Sequence, residues 1–269
     1  MTVLASIPPQ EYFIQKIAGD TWTVQSLVRP GKSPETYEPT PQQMVQVSRA
    51  HLYFAIGVPF EAMWLERFAN LNPDLKIIHT DEDVDKIPLH HILRSRKRHP
   101  QDFDPHIWLD PGRVLIQVKN IANAFIKFDP ENKNIYKKNF GKLSNDLIDL
   151  DIEIRKSYAF VKTPFTFLVH HPSWGYFADS YNLIQLSIEK NGKNPKAQEL
   201  AGLIKIAKKY SIKTVFASPH VSTKSADIIA KSIGGKVVLI DPLAVDWYEN
   251  IREVAAQILL SAMEATDAE

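Results

Sequence analysis

The chain of 269 residues contains no cysteine. That excludes a disulfide framework, a thiol nucleophile and any thiolate metal site, so a bound metal would have to be held by nitrogen and oxygen. Glycine is scarce, at 10 residues, and neither a G-x-G-x-x-G nor a Walker-type loop occurs, which leaves nucleotide binding without support. Charge of one sign is also missing. Thirty-two Lys and Arg face 31 Asp and Glu, for a net charge of +1, so nothing draws the molecule as a whole to nucleic acid or anionic membrane. No apolar run approaches the roughly 18 residues of a membrane span. The opening "MTVLASIPPQ" lacks the charged and hydrophobic regions of a signal peptide, which fits a cytosolic chain or a mature exported form whose leader was replaced by an initiator methionine.

Apolar residues make up 44% of the chain, enough for a real core. Short β-rich runs alternate with helical stretches: "TVLASIPP" then "QEYFIQKIAG", "TWTVQSLV" then "TPQQMVQVSRA", "HLYFAIG" then "FEAMWLERFANL", and the strand "LKIIHT". This βα repetition predicts a first α/β lobe over 1–128. From 129 to 161 apolar residues recur at three- and four-residue spacing through Ile135, Phe140, Leu143, Leu147, Leu150 and Ile154, as in one long helix weakened only at Gly141. Alternation then resumes with "FTFLVHH", "AQELAGLIKIAKKY", "IKTVFAS", "TKSADIIAKSIG", "KVVLIDP" and "WYENIREVAAQILLSAMEA", a second lobe over 162–269. The expected fold is α/β: two lobes of parallel sheet flanked by helices and joined by a single long rigid helix.

Ligands of open α/β sheets bind outside the carboxyl ends of the strands. Those ends carry Glu35 and Glu38 in "RPGKSPETYEPTP", His106 in "DFDPHIWLDP", His170 and His171 in "HHPSWGY", and Asp241 in "DPLAVDW". Two Asp-Pro pairs make the His106 segment stiff, since proline fixes its own φ and biases the residue before it. Each residue alone has an ordinary explanation: a histidine bonded to a neighbouring aspartate, a strand-end core histidine, a turn-capping Asp241, a solvated Glu35. Together, two imidazoles and two carboxylates converging on a cleft between lobes would form a complete nitrogen and oxygen shell for a divalent transition metal. Trp108, Trp174 and Tyr37 stand beside them in sequence and are expected to shield the site from water.

In this order and at these separations, "GKSPETYEPTP", "DPHIWLDP", "HPSWGYFADSYNL" and "VVLIDPLA" resemble the metal-binding proteins of zinc and manganese ABC importers, the ZnuA/TroA-like solute-binding proteins. The resemblance spans essentially the whole chain. It implies two α/β lobes, a rigid connecting helix and one metal between them, with His106, His171 and Asp241 as second, third and fourth ligands and His170 as a neighbour. At the first position such proteins usually carry histidine, where this chain has Glu35. A carboxylate can replace it, giving a set of Glu35, His106, His171 and Asp241 that suits Zn2+ and admits Mn2+ or iron. Zinc members often carry a histidine- and acid-rich insertion at 88–101; here His90, His91 and His99 lie among Arg94, Arg96, Lys97 and Arg98, as in a solvated surface loop. His51, His79 and His220 are read as structural.

The implied function is capture of a divalent metal, zinc first, for delivery to a membrane ABC permease. The protein would be periplasmic or tethered outside the cytoplasmic membrane, monomeric, and without a nucleic-acid partner or an enzymatic activity. A zinc-dependent hydrolase is the competing class; it needs an open water position and a base, for which only Glu35 offers itself. A receptor for haem, cobalamin or a siderophore would instead want a broad cleft lined by aromatic or basic groups.

Overall fold

Parallel strands need crossover connections, and this chain supplies them as helices of 6 to 13 residues. The computed structural model describes residues 1–88, 103–161, 164–189 and 195–266. It divides into two units, Met1–Asp151 with Leu243–Trp247, and Ile152–Pro242 with Tyr248–Glu269.

The first unit holds β1 (Thr2–Ala5), α1 (Pro8–Ala18), β2 (Thr23–Ser26), α2 (Pro41–Val47), β3 (Leu52–Ala55), α3 (Glu61–Leu71), β4 (Lys76–His79) and α4 (Pro111–Phe128). A 3₁₀ turn at Pro130–Asn132 leads into α5 (Lys133–Tyr158), and the division between units falls within that helix. The second unit continues with β5 (Phe165–Val169), α6 (Gly175–Ser180), β6 (Leu183–Ser187), α7 (Ala197–Lys209), β7 (Thr214–Ala217), α8 (Lys224–Ile233), β8 (Lys236–Leu239) and α9 (Trp247–Thr266). The sheets are β2-β1-β3-β4 and β6-β5-β7-β8, wholly parallel and of identical connectivity. In each, the interior strand third in the order is buried throughout, β3 in one and β7 in the other. Edge strands β2, β4 and β8 bury only part of their length, as expected where helices cover both faces of a sheet but not its rim.

Four elements go beyond the sequence expectation. The helix α4 follows the His106 segment, started by Asp110, whose Oδ1 accepts the Arg113 amide at 2.8 Å, and by Pro111 in the first turn. The short α6 and the edge strand β6 occupy a stretch that periodicity left unassigned. In α5 the core stripe begins at Tyr136, not Ile135: Tyr136 is fully buried while Ile135 is 42% exposed. Tyr136 stacks on Phe125 at 5.2 Å, receives the Trp22 indole N–H at 3.0 Å and donates to Asp129 at 2.6 Å. A tyrosine with two polar partners outcompetes an isoleucine for that place. The helix runs unbroken through Gly141.

A buried carboxyl organises the β3–α3 turn. Glu61, 3% exposed, accepts the Ile56 and Gly57 amides at 2.9 and 2.8 Å and the Ser6 hydroxyl, itself 2.6 Å from the Tyr53 hydroxyl. Burial outweighs these three hydrogen bonds and lifts the Glu61 carboxyl to about 7. The folded state thus holds a proton that the unfolded chain releases, so its contribution to stability is full below the ordinary glutamate range and is lost as pH rises through about 7. Between pH 4.5 and 8 wild type should lose about 3 kcal/mol of unfolding free energy relative to Glu61→Gln. Denaturant titrations at both pH values measure this, and a constant difference would mean that Glu61 titrates alike in the folded and unfolded chain.

Glycine matters most at the α8–β8 junction. A Cβ on Gly235 would stand 2.0 Å from the Lys213 carbonyl oxygen, whereas Gly234, left-handed at φ 65°, has open space around it. Gly235→Ala should cost about 3 kcal/mol and Gly234→Ala about 1. At Gly141, where an added Cβ also meets nothing, alanine should instead stabilise by about 0.5–1 kcal/mol, all three read from thermal melts.

Candidate metal centre

Glu35, His171 and Asp241 lie in loops that follow parallel strands, and His106 precedes a 3₁₀ turn ahead of α4. In the first unit Glu35 lies in the loop after β2 and is exposed. The loop around it is anchored: Tyr37 donates to the Leu27 carbonyl at 2.6 Å and packs on Phe60 at 5.5 Å, and the Phe60 amide donates to the Pro34 carbonyl at 3.3 Å. Glu35 is thus offered outward from a fixed base. Glu38, also raised as a candidate by the sequence, is exposed three residues further on.

His106 is 7% exposed and precedes a buried 3₁₀ turn, Ile107–Leu109. Asp104 Oδ1 accepts its backbone N–H at 2.9 Å and lies 2.7 Å from its Nδ1. An ionised carboxylate can only accept, so Nδ1 carries the hydrogen and, in the neutral ring, Nε2 carries the lone pair. Both aspartates of the two Asp-Pro pairs therefore have assigned work, Asp104 on the imidazole and Asp110 on the helix start. The plain reading, a histidine bonded to its neighbour, is correct; the same bond is what orients a metal-binding histidine.

The second unit repeats the device. After β5, His171 places Nδ1 2.8 Å from Glu189 Oε2, just beyond β6. The His171 hydrogen bond, ahead of the opposing effect of burial, holds the Glu189 carboxyl below its ordinary value. His170 is 3% exposed, donates its amide to the Phe216 carbonyl at 2.7 Å and accepts the Glu189 amide at 2.9 Å. Its Nδ1 lies 3.7 Å from Glu189 Oε1. Asp241 follows β8; Asn250 donates to its carbonyl at 2.7 Å, and its Oδ2 lies 3.0 Å from His220 Nε2.

Two residues were not found from sequence. Glu189 lies outside every quoted motif, and His220 was read as structural although it touches Asp241. Trp108, Trp174 and Tyr37 are buried side chains, 1%, 1% and 9% exposed, and the Trp108 ring lies 5.1 Å from that of His106. The Trp108 carbonyl accepts the Trp247 indole N–H at 2.6 Å, and the Trp174 amide donates to Gln185 at 2.7 Å. His51 and His79 do have local structural contacts, with Thr2 and Asp81 respectively. His90, His91 and His99 lie outside the described residues. Among the described residues no group of three or more His, Asp or Glu side chains is drawn together as a ready metal shell; the candidates stand instead in the pairs just given. No helix of the described residues is long and apolar enough to cross a membrane.

Two parallel-sheet α/β units with carboxylate-backed histidines in their loops are the architecture of a metal receptor. The chain belongs to the ZnuA family, the periplasmic component A of zinc-uptake complexes, whose model matches residues 3–259. It is 28% identical over 254 residues to the high-affinity zinc uptake system protein ZnuA of Bacillus subtilis, covering 90% of this chain and 78% of that one. A crystal structure of ZnuA superposes with a TM-score of 0.91 at 39% identity, covering 97% of this chain and 99% of the other. A zinc-bound ZnuA deletion mutant gives 0.90 at the same identity, over 97% and 98%.

Outer partners of metal-bound histidines typically contribute 10- to 100-fold in affinity. Glu189→Ala should therefore weaken metal binding by about that factor, measured by competition with a chromophoric chelator. An unchanged affinity would reduce the Glu189 contact to a local ion pair.

Proposed function

We propose that this chain is an extracytoplasmic solute-binding receptor that captures one divalent transition metal, zinc first, and delivers it to a membrane ABC permease. Glu35, His106, His171 and Asp241 are the ligands. The observation that carries the reading is the matched pair of imidazoles, His106 on Asp104 and His171 on Glu189, each with Nδ1 on a carboxylate. Zinc takes histidine nitrogen at about 2.0–2.1 Å and carboxylate oxygen at about 2.0–2.2 Å. Two neutral imidazoles with two carboxylates also balance its charge of two, which matters wherever water is excluded. Membership of the zinc-uptake family and likeness to a relative described as a high-affinity zinc uptake protein support the same metal.

Manganese or iron is the alternative cargo, because replacing a first-position histidine by Glu35 makes the set richer in oxygen. A hydrolase is disfavoured: a catalytic zinc keeps three protein ligands and an open water position, whereas four protein donors are available here. The protein acts as a monomer, without nucleic acid.

Purified protein should bind one equivalent of zinc and melt at a higher temperature with it, since a ligand that favours the native state stabilises it. Equal melting curves with zinc, manganese and chelator would sink the proposal. Glu35→Ala should lower zinc affinity about tenfold or more, and Glu35→His should shift preference toward zinc over manganese, both by calorimetric competition. Unchanged zinc affinity in Glu35→Ala would assign the fourth position to water and bring the hydrolase back.

A further inference from the structure

The second sheet changes direction of connection between β5 and β7, the place where open α/β sheets leave a crevice at their carboxyl ends. His171 follows β5, His220 follows β7 and Asp241 follows β8, so three loops from three successive neighbours of one sheet carry them. His220 has no place in the ligand set, yet its Nε2 lies 3.0 Å from Asp241 Oδ2. Its loop is tied down: the His220 amide donates to Ser218 Oγ at 3.3 Å, and the Val221 amide reaches the Ser218 carbonyl at 3.5 Å. Asp241 is fixed from the other side by Asn250 on its carbonyl.

The ring nitrogens tell the roles apart. His106 and His171 turn Nδ1 to a carboxylate. His220 turns Nε2 to the carboxylate of a proposed ligand, and since that oxygen can only accept, Nε2 carries the hydrogen. We infer that His220 is a positioning residue for metal capture: its Nε2–H holds Asp241 Oδ2 and so aims Asp241 Oδ1 at the ion. A carboxylate with one oxygen held binds in a single orientation and surrenders less rotamer freedom when the metal arrives. This rests on the ligand role of Asp241 proposed above.

The test is a set of zinc affinities, measured by chelator competition for wild type, His220→Ala, His220→Gln, Asp241→Ala and the double variant His220→Ala/Asp241→Ala. Zinc-edge X-ray absorption on the loaded wild type and His220→Ala proteins counts imidazoles. His220→Ala should lose about 10- to 100-fold in affinity with its imidazole count unchanged. His220→Gln, which keeps an N–H near the position of Nε2, should recover most of the loss. In the Asp241→Ala background His220→Ala should cost nothing more, because its effect passes through that carboxylate. One imidazole fewer in His220→Ala would make His220 a ligand and overturn the inference. So would wild-type affinity in His220→Ala, or an undiminished loss in the double variant. Failure of wild type itself to bind zinc would instead fall on the proposed function, which separates the two.

Discussion

An imidazole can donate to a metal only through a nitrogen that carries no hydrogen, and a carboxylate set against the other nitrogen decides which one that is. In this chain Asp104 makes the decision for His106 and Glu189 makes it for His171. The two solutions differ in kind. Asp104 acts over two residues, inside a stiff Asp-Pro-His segment, and also holds the His106 amide. Glu189 acts over 18 residues, brought to His171 because β5 and β6 are paired in register, Val169 opposite Ser187. The first needs only local geometry; the second needs the sheet.

The parallel sheets matter for the same reason. Every connection returns to the same end of the sheet, so the loops that leave β2, β5, β7 and β8 gather polar side chains while the strand interiors stay apolar. The polar residues sunk into the first unit have structural work. Glu61 fixes the turn after β3, and Gln10 accepts the Ser6 amide at 3.0 Å to close the turn before α1. Because Phe60 in that turn holds the Pro34 carbonyl, the buried Glu61 network supports the loop that carries Glu35 from a distance.

What could be read from sequence follows this division between local and sheet-mediated contacts. The βα alternation, the long helix and the family-like motifs were legible because period and motif are written in consecutive residues. The start of α4 at Asp110 and Pro111 was not among those readings, and the single shift from Ile135 to Tyr136 came from ranking residues by hydrophobicity without counting the hydroxyl's partners. β6 was missed because an edge strand with Asn182 before it and Gln185 within it lacks the continuous apolar run of β3. Glu189 and His220 escaped for a deeper reason. Their meaning lies in pairing with His171 and Asp241, 18 and 21 residues away, and no spacing rule within a segment exposes a partner fixed by strand order.

In the proposed set three ligands have a neighbour that limits their rotation, so binding a metal costs His106, His171 and Asp241 little conformational freedom. Glu35 differs in donor type: it is an exposed carboxylate at the position where related proteins usually carry histidine, and it brings an anionic oxygen in place of a neutral nitrogen. Discrimination among divalent ions depends on donor type and charge, so this carboxylate bears on which ion is bound as well as on how tightly it is held.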